Sequence, residues 1–422
     1  MKSIVLCVLA CFLCIGDLQA QNTYSVKPDV QGCINVRDDS NSSANIIACL
    51  DAGSAVTVLS SRPYWREIMF GQAESGWIAK KFIIPTPTPP IEPVPDPIPP
   101  DMWLTVHFID VGQGDAIWIN TPDDGIDGNG IFEGRNIVID GGPYYRNENN
   151  PLLEYINAQA YPLAILDALI VTHPHSDHYY GSEFLSRHFE IEDYYDPGFP
   201  KGGNYQSFID AFSKPEIHVN NVHRTPGQLP SLDWGSELKA EFLYSWPNDG
   251  SDLGNGSTLE NNTSMVLKIT YGSQSFLFMG DAEGKDRADP PNNPKYVEKI
   301  LTEGDVDIAA TVLKIAHHGS ETSSTTKFIE EVNPEYVIVQ SGRKCFSGTH
   351  IPDMSTLLRY CAHNPAVKIF RTDEGDAGLT TDEAVNGDDV VLRSNGSVIE
   401  VLKGVQAVCS GLAAQAGDQS CS

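Results

Sequence analysis

Four potential metal ligands fall within the six residues His173-Pro174-His175-Ser176-Asp177-His178. Imidazole nitrogens and a carboxylate together suit a borderline divalent ion such as zinc, with manganese as the alternative. Pro174 disfavours the α region for His173, so the chain turns here as a loop and alternate side chains converge. His173 and His175 then reach one cation, and Asp177 and His178 another. The whole chain has 11 histidines in 422 residues, so three in one loop is a concentration that asks for a reason. Two such ions lower the pKa of a bound water and stabilise negative charge on an attacked group.

The elements that position this loop are legible nearby. Residues 166–172 form a short apolar run rich in β-formers, the pattern of a buried strand. Further strands are predicted over 136–140, 275–279, 311–316 and 336–340, and each ends in polar or glycine-rich sequence. Gly112-Gln113-Gly114 lies between two strands and permits a tight turn. Ser320, Thr322 and Ser323 precede a helix predicted over 325–332, whose first amides and hydroxyls could bind an anion of the substrate. Capping of that helix by Ser323 or Ser324 is the simpler reading of the same residues.

An insertion at 121–133 reads T-P-D-D-G-I-D-G-N-G-I-F-E. Asp123, Asp124, Asp127, Asn129 and Glu133 offer oxygen ligands among glycines, as a calcium loop needs, although the spacing is not that of an EF-hand. A solvated hairpin is the competing expectation.

The chain divides by composition. Residues 1–20 combine Lys2 with an apolar run and a small residue before a cut, which predicts a secretory signal peptide. Val8-Leu9-Ala10-Cys11 weakly suggests a lipoprotein box, and no later stretch is long and apolar enough to span a bilayer. Residues 21–84 read as a small all-β domain punctuated by turn residues. In 85–100 nearly every second residue is proline, so this linker is an extended spacer of roughly 50 Å at about 3.1 Å per residue. The main domain is expected over 101–405, followed by a tail at 406–422.

Outside the leader stand Cys33, Cys49, Cys345, Cys361, Cys409 and Cys421, an even set that predicts disulfides in an exported, periplasmic or secreted, protein. Local pairing gives 33–49, 345–361 and 409–421. The formal net charge of −28 argues against broad non-specific affinity for nucleic acid or anionic membranes.

The H-x-H-x-D-H string resembles the dinuclear signature of the metallo-β-lactamase superfamily. D-V-G-Q-G-D-A (110–116), I-D-G-G (139–142), Y-D-P-G-F-P-K-G-G-N-Y-Q-S-F (195–208), N-N-T-S-M-V-L-K-I (261–269), F-L-F-M-G-D-A-E (276–283) and L-K-I-A-H-H-G-S-E-T-S-S (313–324) extend that likeness to the soluble hydrolase domain of ComEC-type competence proteins. The resemblance implies an α/β fold, an αββα sandwich with metals at one edge, and a hydrolytic reaction. It makes Asp281 the carboxylate bridging two metals and assigns either His317 or His318 to the second. Asp177, doubling as a ligand, and His350, in a G-H-P-like element, are the expected catalytic side chains. The superfamily's further histidine between the His-rich loop and Asp281 has no counterpart in a matching motif, since only His188, His218 and His223 lie there. The first metal would then rest on His173, His175, Asp281 and solvent.

Segments 34–40, 50–59, 65–68 and 76–79 resemble bacterial SH3-type domains, which implies a small barrel that binds cell-wall peptide or another protein, or acts as a spacer. The expected function is an exported metal-dependent phosphodiesterase acting on DNA or a small headgroup ester. An amide or ester hydrolase such as a β-lactamase, and a wall-binding protein with a non-catalytic scaffold, are its rivals.

Overall fold

The computed structural model describes residues 23–85 and 102–415, apart from 29, 31, 63, 72–73, 127, 145–149, 160–162, 164, 214–216, 223–228, 248, 250–251, 343–344, 347–348 and 374–386. The expected leader, residues 86–100 of the linker and residues 416–422 of the tail therefore lie outside the described residues, as does Asp127. The chain divides into two units, Met1–Pro89 and Pro90–Ser422.

In the first unit Thr23–Val26, Cys33–Arg37, Ile46–Asp51, Ala55–Ser61, Trp65–Phe70, Glu74–Ala79 and Ile83–Pro85 form one seven-stranded sheet. Val26, Val36, Val56, Ile68 and Ile78 fill its core. Trp65 is buried, whereas Trp77 is half-buried under the Arg62 guanidinium, 4.3 Å from its ring centroid. Cys33 and Cys49 are bonded across the neighbouring strands Cys33–Arg37 and Ile46–Asp51.

The second unit is a four-layer α/β sandwich. Its first sheet contains the parallel strands Asn136–Gly141, Ile165–Ile170, Glu190–Asp196 and His218–Asn221, extended antiparallel through Ala116–Asn120, Leu104–Phe108, Val390–Ser394 and Ile399–Lys403. The second places Gln274–Phe278, Val312–Lys314, Tyr336–Val339 and Lys368–Arg371 in parallel, flanked by antiparallel strands.

Alternation along the strands decides the layers. Ile137 and Ile139 point into the inter-sheet core with Phe108, Ile119, Leu267 and Phe278. Val138 between them points outward, against Leu152 and Ile156 of helix Pro151–Gln159. On the far side Leu313 and Val337 pack on Phe328 and Ile329 of helix Thr326–Val332. Because both faces of the central strands are covered, they read as continuous apolar runs, and each fully buried Leu, Ile or Phe contributes about 1.5–3 kcal/mol.

The local disulfide rule fails in this unit. Cys361 is bonded to Cys409, not to Cys345, and Cys409 is therefore not paired with Cys421. Helix Met354–His363 docks against helix Cys409–Gln415 around Leu357 and Leu412, and this packing joins cysteines far apart in sequence. Cys345 is also disulfide-bonded.

Candidate metal centre

Parallel strands deliver their carboxyl ends to one edge of the sandwich. Ile165–Ile170 runs out into the His-rich loop, and Gln274–Phe278 and Val312–Lys314 run out to Asp281 and to His317-His318. Phe278 is in register with Lys314, so the latter two leave the sheet together. The loop at Asp110–Asp115 passes directly beneath the His-rich turn. Gly114 has φ +145°, and a Cβ there would lie 2.3 Å from the Asp177 carbonyl oxygen, so the approach requires glycine. The Asp115 amide donates to that same carbonyl at 3.3 Å.

One oxygen organises the site. Oδ2 of Asp281 lies 3.6 Å from Nε2 of His173, 3.3 Å from Nε2 of His178 and 3.5 Å from Nε2 of His318. Nδ1 of His175 is 3.1 Å from Nε2 of His173. Two ligand groups result, each with its donor atoms within 4.8 Å of one another: His173, His175 and Asp281, and Asp115, His178, Asp281 and His318. Asp281 belongs to both. Asp177 borders the second group, with Oδ2 3.6 Å from Nε2 of His318.

Oδ1 of Asp281 is buried without a hydrogen-bond partner. An unpartnered carboxylate oxygen amid converging imidazole nitrogens is the environment that a divalent cation satisfies. The residues therefore fit a metal.

Three of the four ligand imidazoles are backed by a carboxylate on their far nitrogen. Nδ1 of His178 is 2.8 Å from Asp140 Oδ2, and Nδ1 of His318 is 3.2 Å from Asp115 Oδ1 and 2.9 Å from the Gln340 carbonyl. Nε2 of His175 is 2.8 Å from Glu260 Oε2. Two of these carboxylates are themselves held by lysines, Asp115 by Lys314 at 2.5 Å and Glu260 by Lys201 at 2.9 Å. Such partners fix the ring orientation and leave the inner nitrogen free for the metal.

The electrostatics divide the histidines. Burial, reinforced by neighbouring His178, holds His173 well below the ordinary histidine range, and burial also lowers His175. Burial opposes charge on His178 too, but the Asp281 and Asp140 carboxylates outweigh it and raise that histidine well above its usual value. His318 is likewise carried against burial to about 10, by Asp281 and Asp115. Asp115 stays ionised because Lys314 and His318 overcome its desolvation.

His317 and His318 are separated by burial and by their partners. Both have positive φ, 50° and 52°, and their ring centroids stand 6.2 Å apart with the planes at 62°. The His318 side chain is 1% exposed and falls in a group that could hold a metal, whereas that of His317 is 22% exposed. Nδ1 of His317 is 2.9 Å from Thr322 Oγ1 and 3.3 Å from Glu283 Oε1, and its Nε2 is 3.4 Å from Asn261 Nδ2. Strained backbone of this kind clusters at functional sites.

Other expected residues fall outside the ligand groups. Amides at the start of helix Thr326–Val332 are already taken: buried Glu298 accepts from the Ser324 and Thr325 amides and from Thr325 Oγ1. The anion position expected there is thus filled by a protein carboxylate, and the N-cap residue is Thr325, not Ser323 or Ser324. Ser323 Oγ donates to the carbonyls of Ala316 and Ser320, and Thr322 Oγ1 contacts Ser320 Oγ. His350 lies half-buried on the ribbon Cys345–Phe346/Thr349–His350. A Cβ on Gly319 would meet Pro352 at 2.7 Å, which ties the segment after that ribbon to the His317–Gly319 turn.

At 121–133, Asp123 and Asp124 accept the amides of Gly125 and Ile126 at 2.7 and 2.8 Å, and Glu133 accepts those of Gly128 and Gly130. These expected calcium ligands satisfy the hairpin's own amides, and Asn129 Nδ2 donates to Asp124.

Sequence reading missed Asp140, Asp115, Glu260, Lys314 and Lys201. Asp140 and Asp115 had a usable signal, since each is a carboxylate flanked by glycine, Asp140 near the end of strand Asn136–Gly141 and Asp115 immediately before strand Ala116–Asn120.

A sequence model described as Metallo-beta-lactamase superfamily matches residues 131–343. The chain is 25% identical over 283 residues to ComE operon protein 3 of Bacillus subtilis, covering 64% of this chain and 32% of that protein. It is 26% identical over 257 residues to Recombination protein 2 of Haemophilus influenzae, covering 60% and 26%. With Competence protein ComA of Neisseria gonorrhoeae the figures are 23% over 274 residues, 65% and 32%. The matched region thus spans about a third of the length of these relatives or less. No helix among the described residues is long and apolar enough to cross a membrane.

Proposed function

The chain belongs to the metallo-beta-lactamase superfamily, and we propose that it is an exported phosphodiesterase using two divalent ions, zinc by donor chemistry. The observation that carries this reading is the sharing of Asp281 by two ligand groups. His173, His175 and Asp281 would hold the first ion, and His178, His318, Asp281 and Asp177 the second. Bound there, the ions supply Lewis acidity and a water acidified to act as nucleophile near neutral pH.

The chain's own residues do the rest. Asp140, Asp115 and Glu260 fix the ligand rings. Asp177 is kept ionised, its burial outweighed by His318 and His178, and can therefore accept a hydrogen bond from an attacking water. His317, held by Glu283 and Thr322, has an exposed edge with which to contact the leaving group.

The names Competence protein ComA and Recombination protein 2 point to DNA, which supports a phosphodiester over a lactam ring. The formal charge of −28 favours a small or locally captured phosphodiester over general nucleic-acid coating. The disulfides support export. The N-terminal unit is read as an SH3-type module for cell-wall peptide or protein, a role its small all-β sheet supports.

The test is a turnover screen of metal-loaded protein on bis-p-nitrophenyl phosphate, DNA and a β-lactam. Cleavage of the phosphodiesters is expected. Cleavage of the lactam alone would overturn the reading.

A further inference from the structure

We propose that Lys201 is the cation that contacts the substrate's anionic group, exchanging Glu260 for a phosphate oxygen when substrate binds. This deepens the phosphodiester reading and rests on it. Lys201 stands in the loop between strand Glu190–Asp196 and helix Gly203–Phe212, where Gly202 and Gly203 turn the backbone with φ of 70° and 60°. Its ammonium donates to the Pro174 carbonyl at 2.8 Å and to Glu260 Oε2 at 2.9 Å. Pro174 separates the ligands His173 and His175, and Glu260 Oε2 is itself 2.8 Å from His175 Nε2. Lys201 is thus one carboxylate away from a ligand of the first ion.

Among the described residues, the cations nearest in sequence to Asp281 and His318 are committed elsewhere. Lys314 is 1% exposed and bound to Asp115, Lys285 is fully buried against Glu321, and Arg287 is bidentate to Asp353. The Lys201 side chain is 30% exposed and its carboxylate partner 24%. A lysine–carboxylate pair at such a rim is held weakly. The flexible four-carbon stem lets the ammonium move to a better-charged partner. A phosphodiester oxygen is such a partner, because it is ionised and brings a charge-assisted bond. In a chain with 28 Lys and Arg against 56 Asp and Glu, one released cation beside the ions gives an anionic substrate a local foothold that the overall field denies. The exchange also returns Glu260 wholly to His175, so substrate capture tightens the support of a first-ion ligand.

Calorimetric titration of inorganic phosphate into metal-loaded wild type, K201M and K201R tests the contact, with zinc content and with KM and kcat on bis-p-nitrophenyl phosphate measured beside it. K201M is expected to weaken phosphate binding and raise KM about 10–100-fold, the loss of one charged hydrogen bond, with zinc content unchanged and kcat changed less than KM. K201R is expected to recover most of that loss. Phosphate bound equally by K201M and wild type overturns the proposal. So does a K201M protein that loses zinc, because Lys201 would then act only through Glu260 and His175. Normal turnover with an unmoved KM in K201M removes the Lys201 contact and leaves the phosphodiesterase reading intact. Lys201-dependent phosphate binding in a wild type that cleaves no phosphodiester supports the contact and removes the phosphodiesterase reading.

Discussion

Oδ2 of Asp140 lies 2.8 Å from Nδ1 of His178, and both side chains are fully buried. The same carboxylate accepts the Thr172 hydroxyl at 2.7 Å, while its other oxygen accepts the Thr172 amide at 2.8 Å. Asp140 therefore locks the His-rich loop to the neighbouring strand and leaves Nε2 of His178 facing Asp281. Its backbone, at φ 57°, takes the left-handed conformation to do so.

Asp140→Asn keeps the shape and removes the charge. It is expected to weaken the second ion's binding by roughly 10–100-fold while sparing the first. Competitive zinc titration with a chromophoric chelator measures both steps. Unchanged affinity at both would contradict the orienting role.

The adjacent histidines should separate functionally. His318→Ala is expected to lose about one equivalent of metal, because its ring sits within the second ligand group. His317→Ala is expected to keep both equivalents and lose turnover, because its ring contacts Thr322, Glu283 and Asn261. Elemental analysis beside steady-state kinetics distinguishes them, and the reverse pattern would exchange their roles.

Asp196 sets a pH dependence of stability. Burial raises its carboxyl to about 6, against a single partly offsetting bond from the Gly198 amide. A folded pKa above the unfolded value means that folding favours the protonated form. Stability from this group is therefore present below the unfolded pKa and declines as pH rises towards and through 6. Asp196→Asn should raise stability at pH 8 by on the order of 2 kcal/mol and gain nothing near pH 4. Denaturant melts at the two pH values provide the measurement, and equal effects at both would show that Asp196 is ionised without penalty.

What the sequence made legible follows contact range. The candidate ligands at 173–178 are contiguous, and Asp281 and His318 each follow an apolar run, so local patterns were enough to nominate residues that the fold brings together. The choice between His317 and His318 needed the packed surroundings, which bury His318 against Asp115 and the Gln340 carbonyl and leave His317 partly exposed. Glu260 reaches the first ligand group from the short helix Ser257–Asn261 and Lys201 from a separate loop, and Glu298 fills the start of helix Thr326–Val332 from another helix, contacts that depend on the packed layers. The local cysteine scheme of 345–361 and 409–421 failed for the same reason, since helix docking joins Cys361 to Cys409 over sequence proximity.

That pairing is directly checkable. Non-reducing digestion with mass spectrometry should recover peptides linking Cys33 to Cys49 and Cys361 to Cys409. Peptides linking Cys345 to Cys361 would restore the local scheme and displace the docking argument.

Asp281 bears on the central claim, because its Oδ2 lies near His173, His178 and His318 together. Zinc content and bis-p-nitrophenyl phosphate turnover should be measured on wild type and Asp281→Ala, each before and after chelation and zinc re-addition. The account predicts close to two zinc ions and chelator-sensitive, zinc-restored turnover in wild type, and loss of both metal and turnover in Asp281→Ala. Wild-type turnover that survives complete removal of metal, or an Asp281→Ala protein that keeps two ions and full rate, would contradict it.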